Sequence, residues 1–173
     1  MKMMPTVVLT ISLLTAVVVP AQAQFDAVGS LDFPTSSSGD VEQHFLRGVA
    51  ILHSFGWVQA RDQFQEAQAL DPDFAMAYWG ESLAYNHPLV SQMNPDEPRA
   101  ALQRLAPTKA ERLAKAPTER EKGFLSAVEV LWGEGEHVDR RVGYMEAMER
   151  LHEQYPDDSE VAAFYALSIL SAV

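Results

Sequence analysis

Ala60-Arg61-Asp62-Gln63-Phe64-Gln65-Glu66-Ala67-Gln68-Ala69-Leu70-Asp71-Pro72 is the stretch on which the reading of this chain turns. Ala60, Phe64, Ala67 and Ala69/Leu70 recur at steps of three and four, which gathers them on one face of an α-helix. Arg61, Asp62, Gln65, Glu66 and Gln68 take the other face. Asp71-Pro72 ends the helix, because a residue before proline is pushed out of the α region. Small side chains at Ala60 and Ala67 let a second helix come close, and Phe64 fills the space between them. One helix cannot bury such a face by itself, so this one is half of a pair.

The partner lies upstream. Asp40 reads as an N-cap for a helix from Val41, and Phe45, Gly48, Val49, Ile51 and Leu52 run at helical spacing to His53 or Ser54. Phe55-Gly56-Trp57 is the turn, with Gly56 expected to supply a positive φ, and the second helix then covers Val58 to Leu70. The hairpin is about 34 residues long, and its first half returns at that offset. His44, Phe45, Gly48, Ile51 and His53 map onto Tyr78, Trp79, Ser82, Tyr85 and His87.

On these residues the segment 41–74 resembles a tetratricopeptide repeat, with Gly48, Trp57, Ala60, Phe64, Ala67 and Pro72 at that family's spacing. His44 and Arg47 depart from it, standing where the family usually has an aromatic residue and a leucine. The helix 75–87 resembles the first helix of a following repeat through Tyr78, Ser82 and Tyr85. The resemblance implies an all-α chain of helical hairpins stacked as a short right-handed solenoid.

The remaining chain fits that expectation more loosely. Residues 75–107 read as a degenerate second repeat, with a long loop from Leu89 to Asn94 and a short helix after Pro95-Asp96-Glu97-Pro98. Its apolar face is Ala101, Leu102 and Leu105, and Thr108 to Ala116 is a further short helical piece. A divergent hairpin spans 117–156. Thr118-Glu119-Arg120-Glu121 opens it as a capping box, Gly133-Glu134-Gly135 breaks it, and Tyr144, Met148, Leu151 and Tyr155 line one face of its second helix. Residues 157–173 read as the first helix of an incomplete repeat. It is apolar nearly all round, so it needs cover, from further repeats of a longer protein or from self-association.

Charge and the N-terminus bound the setting. Thirteen Lys and Arg against 24 Asp and Glu give −11, which argues against a nucleic-acid partner. Lys2, the apolar run Val7 to Val19 and Ala21-Gln22-Ala23 together read as a signal peptide over 1–23. That run falls short of the roughly 20 residues a membrane span needs. The expectation is an exported protein, periplasmic or extracellular, with a polar, flexible leader over 24–40. No cysteine is present, so disulfides and thiol chemistry are excluded.

No nucleophile elbow, phosphate loop, dinucleotide fingerprint or zinc-protease motif occurs, and no cofactor is implied. Asp71/Asp73 and Asp157/Asp158 flank helix starts, where carboxylates cap free N–H groups. Phe45, Val49, Leu52 and His53 share a face of one first helix; Trp79, Leu83, Asn86 and His87 are their counterparts on the next. The tetratricopeptide resemblance implies that these residues line a concave groove holding a protein or peptide partner, without catalysis. Two other readings stay open. In one, the apolar members simply pack while the histidines cap helix ends; in the other, His53 and His87 mark a metal or small-ligand site, or the N-terminal part of an enzyme.

Overall fold

Helix-breaking and capping residues divide the chain into eight helices among the described residues, with no strand between them. The computed structural model describes residues 27–88 and 94–172. The expected signal peptide, most of the loop after His87, and Val173 fall outside them. The first four helices are α1 (Gly39–His53), α2 (Trp57–Leu70), α3 (Ala75–Leu83) and α4 (Asp96–Leu105). They are followed by α5 (Lys109–Ala114), α6 (Glu119–Leu131), α7 (His137–Gln154) and α8 (Ser159–Ala172). The chain is all-α over these residues, and no helix in them is long and apolar enough to cross a membrane.

Two local expectations need correction. Asp40 lies inside the first turn of α1 and Ser38 occupies the N-cap position, so the Asp40 carboxylate serves the helix dipole rather than the cap. The left-handed residue of the α1–α2 turn is Phe55, with φ 59, while Gly56 has φ −84. The Phe55 side chain remains exposed, edge-on to Trp57 at 5.5 Å. The capping boxes at the starts of α5 and α6 are both complete: Thr108 with Glu111, and Thr118 with Glu121.

Helices adjacent in sequence pack together in the pairs α1–α2, α2–α3, α3–α4, α6–α7 and α7–α8. Contacts between α1 and α3, and between α3 and α6, bring alternate helices together as well. Phe64 on α2 sets the closest approach. A Cβ placed on Gly48 of α1 would lie 2.7 Å from its ring, and one placed on Gly80 of α3 would lie closer still. The ring is therefore seated between two helices that have no side chain at the contact.

Ion pairs and amides tie the outer helices to this core. The carboxylate of Glu81 on α3 is buried and accepts from Gln65 at 2.9 Å and Gln68 at 2.6 Å, both on α2, and from Arg104 on α4. Arg112 on α5 holds Glu129 on α6 bidentately through one guanidinium edge, Nε donating to Oε1 and Nη2 to Oε2 at 2.8 Å. Each buried carboxylate thus meets a full set of donors, without which its burial would be strongly unfavourable.

The last helix is covered only on one side. Val161 and Phe164 of α8 are buried, while Ile169 and Leu170 are 41% and 54% exposed. Its apolar character is thus divided between a packed edge and an open one.

Alanine at position 80 tests the Phe64 seat. Alanine favours a helix by about 1 kcal/mol over glycine, so an open site would show stabilisation. Overpacking against Phe64 should instead destabilise Gly80→Ala by about 1–3 kcal/mol in urea unfolding. A smaller ring partner, Phe64→Leu, should recover part of that loss in the double variant.

Candidate functional site

An extended stretch before α1 carries Phe33 into the centre of the molecule. Phe33 is 1% exposed. Aromatic residues of four helices surround it: Phe45 of α1 at 5.2 Å, Trp79 of α3 at 5.6 Å, Phe124 of α6 at 5.1 Å and Phe164 of α8 at 6.4 Å. Edge-to-face and tilted pairs of this kind each add about 0.5–1.5 kcal/mol beyond the area they bury. The flexible leader of the sequence reading is therefore, at Phe33, part of the core.

Residues at the start of α6 hold the same stretch by its backbone. Arg120 lies over the Phe33 ring with its guanidinium carbon 4.2 Å from the centroid. It donates through Nη1 to the Pro34 carbonyl at 3.0 Å, and through Nε to Oδ2 of Asp158 at 2.6 Å. Oε1 of Glu121 accepts from both the backbone N–H and the hydroxyl of Ser36, each at 2.8 Å. The other carboxylate oxygen, Oε2, serves the capping box with Thr118. One glutamate thereby starts a helix and grips a segment 85 residues away in sequence.

Asp158 anchors this arrangement from the start of α8. Its Oδ1 accepts the N–H groups of Glu160 and Val161, each at 3.0 Å, as the helix-start reading of Asp157/Asp158 requires. Burial opposes its ionisation, but the Arg120 hydrogen bond, those two N–H groups and the Arg120 charge together hold its carboxyl below the usual value of 3.8.

The residues expected to floor a partner groove occupy different surroundings. Phe45, Val49 and Trp79 have no exposed surface, and Leu52, Leu83 and Asn86 are almost fully covered. Their face is closed because Phe33, Phe124 and Phe164 fill it. In this conformation all six are covered by the chain's own side chains.

His53 and His87 remain half-buried and engage different partners. His53 Nε2 meets Glu160 of α8 at 2.7 Å, and its ring packs on Phe164 at 4.9 Å. His87 stacks on Trp57 at 4.7 Å, and its carbonyl accepts from Arg141 at 3.2 Å. Burial pulls the His87 imidazole below its ordinary value of 6.5, as does the charge of Arg61, against a hydrogen bond with the Ala84 backbone.

Asn86 donates to Ser171 at 3.1 Å, joining the end of α3 to the end of α8. Beside it Leu52, Trp57, Leu83 and Phe164 enclose a cavity of about 20 Å³, room for roughly one water. Among the described residues no group of three or more His, Asp and Glu side chains could hold a metal ion.

Phe33, Arg120, Glu121 and Asp158 meet in a way that spacing alone did not show. Glu121 and Asp158 were legible only as helix-start residues, and Phe33 only as part of a Phe-Pro pair in a Ser-rich stretch. No family model matches the chain, and no curated protein and no solved structure matches it significantly.

Three outcomes follow from this geometry. Trp79→Ala should cost about 3–5 kcal/mol in chemical unfolding, the range for a buried aromatic, rather than acting on a partner alone. Asp158 is held below its ordinary value, so its stabilisation is complete above about pH 4 and disappears as pH falls through the lowered folded value. Asp158→Asn should flatten that acid limb of the unfolding midpoint. His87 is also held low, so its contribution is present above 6.5 and declines as pH falls below it, the unfolded chain taking the proton first. The urea midpoint should therefore drop between pH 7 and pH 5, and less so in His87→Gln.

Proposed function

We propose that the chain is a non-catalytic helical scaffold, exported through its N-terminal signal sequence, that holds an extended polypeptide segment against its first helices. The observation that carries this reading is the seating of residues 33–36, with the Phe33 ring among four helices and the Pro34 and Ser36 backbone held by Arg120 and Glu121. Those are the elements of extended-peptide recognition: an aromatic anchor in a pocket, plus hydrogen bonds to main-chain groups. In this reading the hairpins stack as a tetratricopeptide-like solenoid, as the 34-residue offset and the resemblance imply. The pairing of neighbouring helices and the contacts α1–α3 and α3–α6 are compatible with it.

A second interface is carried by α8. Its exposed Ile169 and Leu170, next to each other in the last turns of α8, would be covered by self-association or by packing against further helices.

The peptide-holding reading is tested by weakening the resident segment and supplying it in trans. In the full chain with Phe33→Ala, a synthetic peptide of residues 27–38 should raise the melting temperature with concentration. At 100 times its Kd it would contribute about 2.7 kcal/mol. Phe33→Leu serves as the milder variant if the alanine form does not fold. A folded variant whose melting is indifferent to the peptide at millimolar concentration would end the proposal.

A further inference from the structure

The resident segment also defines what the site would select. We infer that the pocket between α1, α3, α6 and α8 takes extended segments of the class Phe-Pro-x-Ser from another polypeptide, and that residues 33–36 are a built-in member of that class. This rests on the scaffold reading and adds its chemistry.

Each position has a physical reason. At the first, the ring meets aromatic neighbours on four helices and lies under the Arg120 guanidinium, so a flat, electron-rich side chain is matched on every side. At the second, proline has no N–H to leave unpaired beside Arg120, and it presents its carbonyl to Nη1. Its fixed φ also holds the segment extended before it binds, which lowers the entropy lost on docking. At the third, the Thr35 hydroxyl bonds within the segment itself, to that of Ser37 at 3.0 Å. At the fourth, a hydroxyl and an N–H converge on one oxygen of Glu121. A side chain without a donor loses half of that contact, and an anionic one would face the carboxylate directly.

The position of the clamp supports a role in selection. Arg120 and Glu121 lie in the first turn of α6, fixed by the Thr118 capping box and by Asp158, so they are in place before a segment arrives. Glu121→Gln keeps a residue able to complete the capping box while removing the charged acceptor, which separates recognition from helix initiation.

The experiment uses the full chain carrying Phe33→Ala, or Phe33→Leu as the better-folding form, with intrinsic fluorescence and melting shift as readouts. The probes are the peptide of residues 27–38, single replacements in it, a scrambled peptide of equal composition, and an unrelated sequence bearing Phe-Pro-x-Ser. The parent peptide and the unrelated Phe-Pro-x-Ser peptide should bind, while replacement of Phe33 by Ala or of Ser36 by Glu should cost tenfold or more. Glu121→Gln in the protein should weaken the parent peptide about tenfold, the difference between charged and neutral hydrogen bonds, yet leave the Ser36→Ala peptide much less affected. Equal binding of parent and scrambled peptides would overturn the class while leaving the scaffold reading intact. Binding of none of them would overturn both.

Discussion

The seat of Phe64 is the contact on which the arrangement of the first three helices depends. Its ring occupies the space above Gly48 on α1 and Gly80 on α3, so α2 is held against both at once. Any Cβ at either glycine would force the ring or a backbone to move, because packed interiors have no slack of that size. With α1 and α3 fixed side by side, Phe45 and Trp79 come within 6.2 Å of each other. They then form two walls of the pocket that Phe33 enters. The polar bonds of Glu81 fix α4 to this group from the outside.

The second organising feature is that the polar contacts around Phe33 are shared. Arg120 meets Asp158 just ahead of α8, the Pro34 carbonyl and two aromatic rings, and Glu121 divides its two oxygens between helix initiation and Ser36. Such groups are coupled, since loss of one partner leaves another buried group short of a bond. The same coupling makes the pocket a surface of defined chemistry rather than a patch of apolar residues. A ring, a carbonyl and a hydroxyl each have one place to go.

The helical plan was legible because its signals are local. Ala60, Phe64 and Ala67 mark a buried face by spacing, Asp71-Pro72 ends it, and the Thr118–Glu121 box announces its helix within four residues. The positive φ at Phe55 instead of Gly56 was not legible, since the turn's geometry depends on how Trp57 packs beside His87. The site was legible only in part. Phe45, Trp79 and Leu83 share a face by periodicity, but whether that face is open depends on what covers it. The cover comes from Phe33, Phe124 and Phe164, which lie 46, 45 and 85 positions from Trp79 in the sequence, where periodicity carries no information. The acidic pair at Asp157/Asp158 was readable as a helix start, yet its bond to Arg120 is a tertiary fact.

The docking of Phe33 also bears on the order in which the molecule can form. Its aromatic partners are drawn from α1, α3, α6 and α8, and His53 meets Glu160 across 107 residues. Contacts between residues so far apart cost loop-closure entropy and tend to form late. While the chain emerges from its N-terminus, the first hairpin can form early through Phe64 and its glycines. Phe33, made before the first hairpin, must wait for Phe164, made 131 residues later. The core around α1 and α3 is thus closed by an early segment, but only once α8 has been made.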